Sequence, residues 1–146
     1  MSEAANYKLR TRAVRKTYGP VVALASADID MVEGEFRTLP GPSGSGKTTL
    51  LMDIAGLNDP DSGEIWIDGK LATYLPPFKR DLGMVFQNYA LFPHMTVFEN
   101  IAFPLRMRRL DDATIRENVQ RVLDTVQLPD VGNRLPRELS GGQQQR

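Results

Sequence analysis

Apolar and polar positions alternate loosely over Tyr7 to Val14 and Val21 to Asp30, which predicts strands. A third extended run, Glu35 to Leu39, leads straight into a glycine-rich stretch at Gly41 to Gly46. Beyond it the period changes. Leu50, Leu51 and Ile54 recur at helical spacing within Lys47 to Ala55, and Gly56 stands where a C-cap glycine closes a helix. Asn58 to Gly63 is a turn cluster, and Glu64 to Ile67 followed by Asp68-Gly69 reads as a strand entering a tight hairpin. Leu82 to Phe86, after the Pro76-Pro77 break, is one more short apolar run of strand type. The second half is helical in pattern. Thr96 with Glu99 three residues on is a capping box, and Pro104 predicts that the helix it opens stops before that residue. Asp111 or Asp112 can cap a second helix, in which Ile115, Val119, Val122, Leu123 and Val126 share a face. The expected organisation is a strand-rich core over residues 1–87, a helical subdomain over 88–136, and a last segment, 137–146, that opens a further helix.

Length and composition narrow the chemistry. The 146 residues suit about one domain, and 41% hydrophobic with 25% charged residues is ordinary for a globular protein. Eighteen basic residues balance eighteen acidic ones, so no global field favours nucleic acid or an anionic membrane. Cysteine is absent, which removes thiolate chemistry and disulfides, and His94 is the single histidine, which removes metal sites built on two or three imidazoles. No apolar run approaches the ~18 residues a membrane-crossing helix needs, and the basic N-terminus has no apolar core of a signal peptide. A cytoplasmic location is the expectation.

Gly41-Pro42-Ser43-Gly44-Ser45-Gly46-Lys47-Thr48 matches the phosphate-binding loop GxxxxGK(S/T) at every fixed position. Glycines allow the backbone to wrap and aim several N–H groups inward, and the helix start behind them adds a partial positive charge. Lys47 is the expected partner of the β and γ phosphates and Thr48 the expected magnesium ligand. At average residue frequencies a chain of this length matches the pattern by accident about 0.5% of the time. The strand before and helix after the loop supply the context the motif requires. The phosphate-binding set comprises Gly41, Pro42, Ser43, Gly44, Ser45, Gly46, Lys47, Thr48 and Thr49.

Such a loop alone leaves kinases, GTPases and ATPases open. Leu139-Ser140-Gly141-Gly142-Gln143 resembles the signature sequence of the ATP-binding cassette (ABC) family, although Ser-Gly-Gly by itself is commonly just a turn. The resemblance covers almost the whole chain, and Gln87 to Asn100 is similar to importer ATPases, especially those of polyamine uptake systems and their sugar and iron relatives. It implies an α/β fold: a P-loop NTPase nucleotide-binding domain of ABC type, C-terminally incomplete. It also implies ATP and Mg2+ as ligands and a head-to-tail pairing of two ATPase subunits. There Ser140, Gly141, Gly142 and Gln143 close over the partner's nucleotide. Transmembrane permease subunits are the further partners implied, at the cytoplasmic face of the inner membrane, with no nucleic acid and no direct contact with the transported substrate.

Two more positions match the family pattern. Tyr18 lies where an aromatic stacks on adenine, the alternative being a strand-edge tyrosine packed on the core. Gln87 resembles the glutamine that contacts magnesium or attacking water and links the site to the permease, a task suited to an amide that both donates and accepts. Tyr89, Leu91 and Phe92 fit either a groove for a membrane-subunit helix or ordinary core packing. His94 reads as an exposed loop histidine, and Arg106, Arg108 and Arg109 as solvated surface.

The resemblance also marks departures. Family members continue past the signature into an aspartate, a catalytic glutamate and a switch histidine, and no residue of this sequence occupies those positions. A non-hydrolytic nucleotide-binding or interaction fragment is therefore the alternative to a transport ATPase, and apolar sheet edges are expected to be exposed. A P-loop kinase is disfavoured by the signature. Pro40 stands where the family has an aliphatic residue at the end of a central strand, so Pro40→Leu is expected to raise stability.

Overall fold

The structure, a computed structural model, describes residues 7–146, so Met1 to Asn6 of the predicted core lie outside the described residues. It divides into two compact units, one ending at Met84 and the other spanning Val85–Arg146.

In the first unit a long strand β1 (Tyr7–Tyr18) organises everything else. Strand β3 (Ile29–Val32) pairs antiparallel with its first half and β2 (Val21–Leu24) with its end, where Tyr18 faces Val21. On the other edge runs β4 (Ser62–Ile67), which turns through Asp68-Gly69 into the two-residue β5 (Lys70–Leu71). Both turn residues have positive φ, 51° and 70°, as a two-residue hairpin with right-twisted strands requires. The predicted strand Val21 to Asp30 is thus two strands. The break follows from Ala13, held at φ 49° where the β1–β4 register shifts between Arg12 and Arg15. Opposite that bulge the chain keeps contact through reciprocal Val14 and Ala27 backbone bonds of 3.3 and 3.0 Å, while the Asp28 carboxylate accepts the Ala13 N–H at 2.9 Å. Gly63 faces the same bulge at φ 96°, and a Cβ there would lie 2.5 Å from the Ala13 carbonyl oxygen.

Helix α1 (Lys47–Ala55) lays Leu50 and Ile54 on the sheet, where they join Val14, Leu24, Ile65, Ile67 and Ala72 in one core. Full burial of such side chains stabilises by about 1.5–3 kcal/mol each. The C-terminus of α1 ends as predicted at Gly56, with φ 77° and its N–H donating to the Asp53 carbonyl at 3.1 Å.

Two sequence expectations fail here. Neither Glu35 to Leu39 nor Leu82 to Phe86 forms a strand, because a strand exists through its ladder and no described segment pairs with either run. Both leave apolar side chains in solvent, Phe36 at 90% and Val85 at 97% exposure. With no ladder at Leu39, Pro40 removes no strand hydrogen bond, and the expected gain from Pro40→Leu loses its basis.

The second unit pairs α2 (Val97–Met107) with α3 (Asp112–Thr125), burying Ala102, Ile115, Val119, Leu123, Leu128 and Val131. The capping box forms as read: Thr96 Oγ1 accepts the Glu99 N–H at 3.2 Å and Glu99 Oε2 accepts the Thr96 N–H at 2.7 Å. Asp111 caps α3 through the N–H groups of Ala113 and Thr114. Pro104 does not end α2, which runs three residues beyond it. The proline side chain is exposed, and packing of Ile101, Ala102 and Leu105 on the apolar cluster outweighs the bond it deletes at the Asn100 carbonyl. No helix among the described residues is long and apolar enough to cross a membrane.

Candidate functional site

The glycine-rich loop connects the Leu39 segment to α1, and its conformation explains its composition. Gly41, Gly44 and Gly46 have φ of 154°, 82° and 86°. Space is tight at two of them. A Cβ on Gly41 would meet Ser45 Oγ at 2.7 Å, and one on Gly46 would meet the Ala23 carbonyl oxygen of β2 at 2.6 Å. Gly46 is also the N-cap of α1, and its carbonyl accepts the Leu50 N–H at 2.9 Å. The helix dipole therefore points at the loop.

Lys47, the first residue of α1, curls back over the loop. Its ammonium donates to the carbonyl oxygens of Gly41 and Pro42 at 2.8 and 2.6 Å and to Ser45 Oγ at 2.9 Å. A cation held by three oxygens at the mouth of a glycine cradle suits a polyphosphate, whose oxygens offer the same ligands with more charge. Pro42, Ser43 and Thr48 are exposed and Thr49 is half-buried, so the Thr48 hydroxyl is free for a hard cation.

Tyr18 ends β1 half-exposed, outside the core cluster. Its hydroxyl accepts from Asn58 Nδ2 at 2.9 Å, and the Lys16 ammonium lies 5.5 Å from its ring centre. Next to it Asp61 accepts from both the Thr17 N–H and Thr17 Oγ1 at 2.6 Å, bonds that hold its carboxyl below the usual range.

Two groups that sequence reasoning missed sit at the far end of α1. Arg80 is buried and spends its guanidinium on main-chain carbonyls: Asp53 and Ile54 at 2.8 and 2.9 Å, Thr73 at 2.8 Å and Leu75 at 2.7 Å. Asp53 is buried, and neither carboxylate oxygen has a partner at hydrogen-bond distance and angle, although the Asn58 side chain, bonded to Tyr18, is near enough to act on it. Burial pushes its pKa up to about 6, with Lys16, Asn58 and Arg80 pulling it down and Asp61 pushing it up. A charged residue in an apolar helix pattern was the available signal for Asp53.

Gln87 and Ser140 to Gln143 belong to the second unit. Gln87 is exposed. Ser140 is the N-cap of α4 (Gly141–Gln145), its Oγ accepting the Gln143 N–H at 3.3 Å while Gln143 Oε1 accepts the Ser140 N–H at 3.0 Å. Gly141 and Gly142 are exposed, with nothing near a Cβ at either. The Ser-Gly-Gly turn is thus a helix start with an open backbone. Tyr89 and Leu91 line an apolar groove of about 260 Å³ with Val97, Ile101, Val126 and Leu139. Phe92 instead packs on Phe103 with ring centres 5.1 Å apart, and His94 is exposed.

A glycine cradle behind a strand-rich sheet, a helix aimed at it and a lysine across its mouth define a P-loop nucleotide-binding α/β protein. Residues 24–146 match the ABC transporter family, and the chain belongs to it. Among its relatives, the spermidine/putrescine import ATP-binding protein PotA of Nitrosospira multiformis is 54% identical over 138 residues, covering 94% of this chain and 38% of that protein. The trehalose/maltose import ATP-binding protein MalK of Thermococcus litoralis is 48% identical over 139 residues, covering 91% and 37%. The chain thus spans under two fifths of the length of these relatives. A solved dimeric ATP-binding cassette in a post-hydrolysis state with ADP and Pi superposes with a TM-score of 0.84 at 34% identity, covering 94% of this chain and 65% of that one.

Proposed function

We propose that this chain binds ATP with Mg2+ and belongs to the ATPase subunit of an importer, with polyamines as the cargo class. The observation that carries the reading is Lys47, fixed by three loop oxygens over a cradle that only glycine fits at positions 41 and 46. Loop N–H groups and Lys47 bind the phosphates, and the α1 N-terminus adds its partial charge. Thr48 is the proposed Mg2+ ligand, and the ion would neutralise phosphate charge. Tyr18 stacks on the base. Titration with a fluorescent ATP analogue tests this: Lys47→Ala is expected to abolish binding, and undiminished binding would overturn it.

Pairing follows from the exposed helix start at Ser140. We place Ser140, Gly141, Gly142 and Gln143 against the nucleotide of a second ATPase subunit, supported by the dimeric solved relative. In the whole subunit, Ser140→Arg is expected to spare ATP binding and to block ATP-driven dimerisation in sedimentation; a variant that still dimerises with ATP refutes the assignment. The polyamine reading is supported by the import proteins at about half identity, and permease subunits at the cytoplasmic face of the membrane are the proposed further partners.

A further inference from the structure

The end of β1 that carries Tyr18 is fastened to both ends of the phosphate-loop helix. At the front, Tyr18 pairs with Val21 at the start of β2, and the Ala23 carbonyl of that strand sits so close to Gly46 that a Cβ there would approach it to 2.6 Å. At the back, α1 closes through Gly56 and Leu57, whose N–H groups return to Asp53 and Met52 at 3.1 and 2.9 Å. The chain leaving that turn delivers Asn58 to the Tyr18 hydroxyl at 2.9 Å, Asp59 to Lys16 at 2.5 Å and Asp61 to Thr17 at 2.6 Å. Three successive residues of β1, Lys16, Thr17 and Tyr18, are each held by the segment that follows the helix.

These ties differ in what they control. The Asp61 and Asp59 contacts fix the course of the strand, whereas the Asn58 bond holds the Tyr18 side chain by its far atom. Lys16 approaches the same ring at 5.5 Å. A tyrosine that is half in solvent otherwise swings about χ1 and χ2, and a stacking contact gains from having that freedom removed beforehand.

We propose that Asn58 is a positioning residue for nucleotide binding, which holds the Tyr18 ring at a fixed place relative to the phosphate loop so that base and polyphosphate are gripped together. The inference rests on the reading of Tyr18 as the base-stacking residue. It predicts that Asn58 acts on the part of the ligand that has a base and leaves the polyphosphate part alone.

Calorimetric titration of the whole subunit with Mg-ATP and, separately, with Mg-tripolyphosphate, which has no base, makes the distinction. Asn58→Ala and Tyr18→Phe each remove the same bond and are expected to weaken ATP about three- to fivefold, the scale of one exposed hydrogen bond. The double variant should lose no more than either single one. Tripolyphosphate affinity should not change in any of the three. Tyr18→Ala, which removes the ring, should weaken ATP more than Asn58→Ala. If Tyr18→Ala weakens ATP while Asn58→Ala binds it like the parent chain, the positioning role falls and the stacking role stands. If Tyr18→Ala binds ATP unchanged, the stacking reading itself falls and takes the proposal with it. Equal losses for ATP and tripolyphosphate in Asn58→Ala would mean general loosening of the loop, which also overturns the proposal.

Discussion

Asp53→Asn should make the first unit more stable at neutral pH and leave it unchanged in acid. Asp53 lies on α1 with no solvent exposure and no hydrogen-bonded partner for its carboxylate, so the fold favours the protonated form. Burial raises the pKa from 3.8 to about 6, against the pull of Lys16, Asn58 and Arg80. For an acid shifted upward, the native state binds more protons than the unfolded one. The stabilising protonation is complete below 3.8 and lost as pH rises through about 6. A rise of about two pH units is worth ~3 kcal/mol at neutral pH. Asparagine keeps the shape and mimics the protonated acid, so the gain should be about 2–3 kcal/mol at pH 7.5 and near zero at pH 4. The assay is urea unfolding followed through Trp66, the only tryptophan, which lies on β4 in the same unit. An equal gain at both pH values, or a loss at pH 7.5, would refute the reasoning.

Two further outcomes follow from buried or missing backbone bonds. Arg80→Gln leaves several main-chain carbonyls without the fork that now serves them and is expected to cost about 3 kcal/mol in the same Trp66 assay; a cost under about 1 kcal/mol would contradict that role. Pro104→Ala restores a donor to the Asn100 carbonyl at an exposed position of α2, and is expected to stabilise the second unit by about 1–2 kcal/mol in thermal unfolding followed by circular dichroism.

Features set by neighbouring residues were legible in the sequence. The glycine loop, the Gly56 stop, the Thr96–Glu99 box and the Asp68-Gly69 hairpin each depend on a few consecutive positions, and each formed where read. Features set across the fold were not. The break in Val21 to Asp30 depends on Ala13, fifteen residues from the Asp28 that bonds it. Arg80 sits in a charged run, Lys79-Arg80-Asp81, that reads as surface, and only the tertiary structure turns it inward to meet α1. The runs Glu35 to Leu39 and Leu82 to Phe86 carry the composition of strands, but composition does not supply the neighbour a ladder needs. The site divides the same way: the loop and Lys47 were visible, and the ties that hold Tyr18 were not.

The Arg80 fork also gives the chain a timetable. Helix α1 closes its last turn on a side chain twenty-six residues past its final carbonyl partner. During synthesis the loop and helix emerge well before the residue that seals them, and at about 5–20 residues per second the interval is on the order of seconds. Over that interval the helix end frays, since nine residues are too few to persist on their own. A released fragment that ends between Gly56 and Lys79 should therefore expose the last turn of α1 to protease, and one extended past Arg80 should protect it. The first unit is therefore complete only when Arg80 arrives, not when its glycine loop is translated.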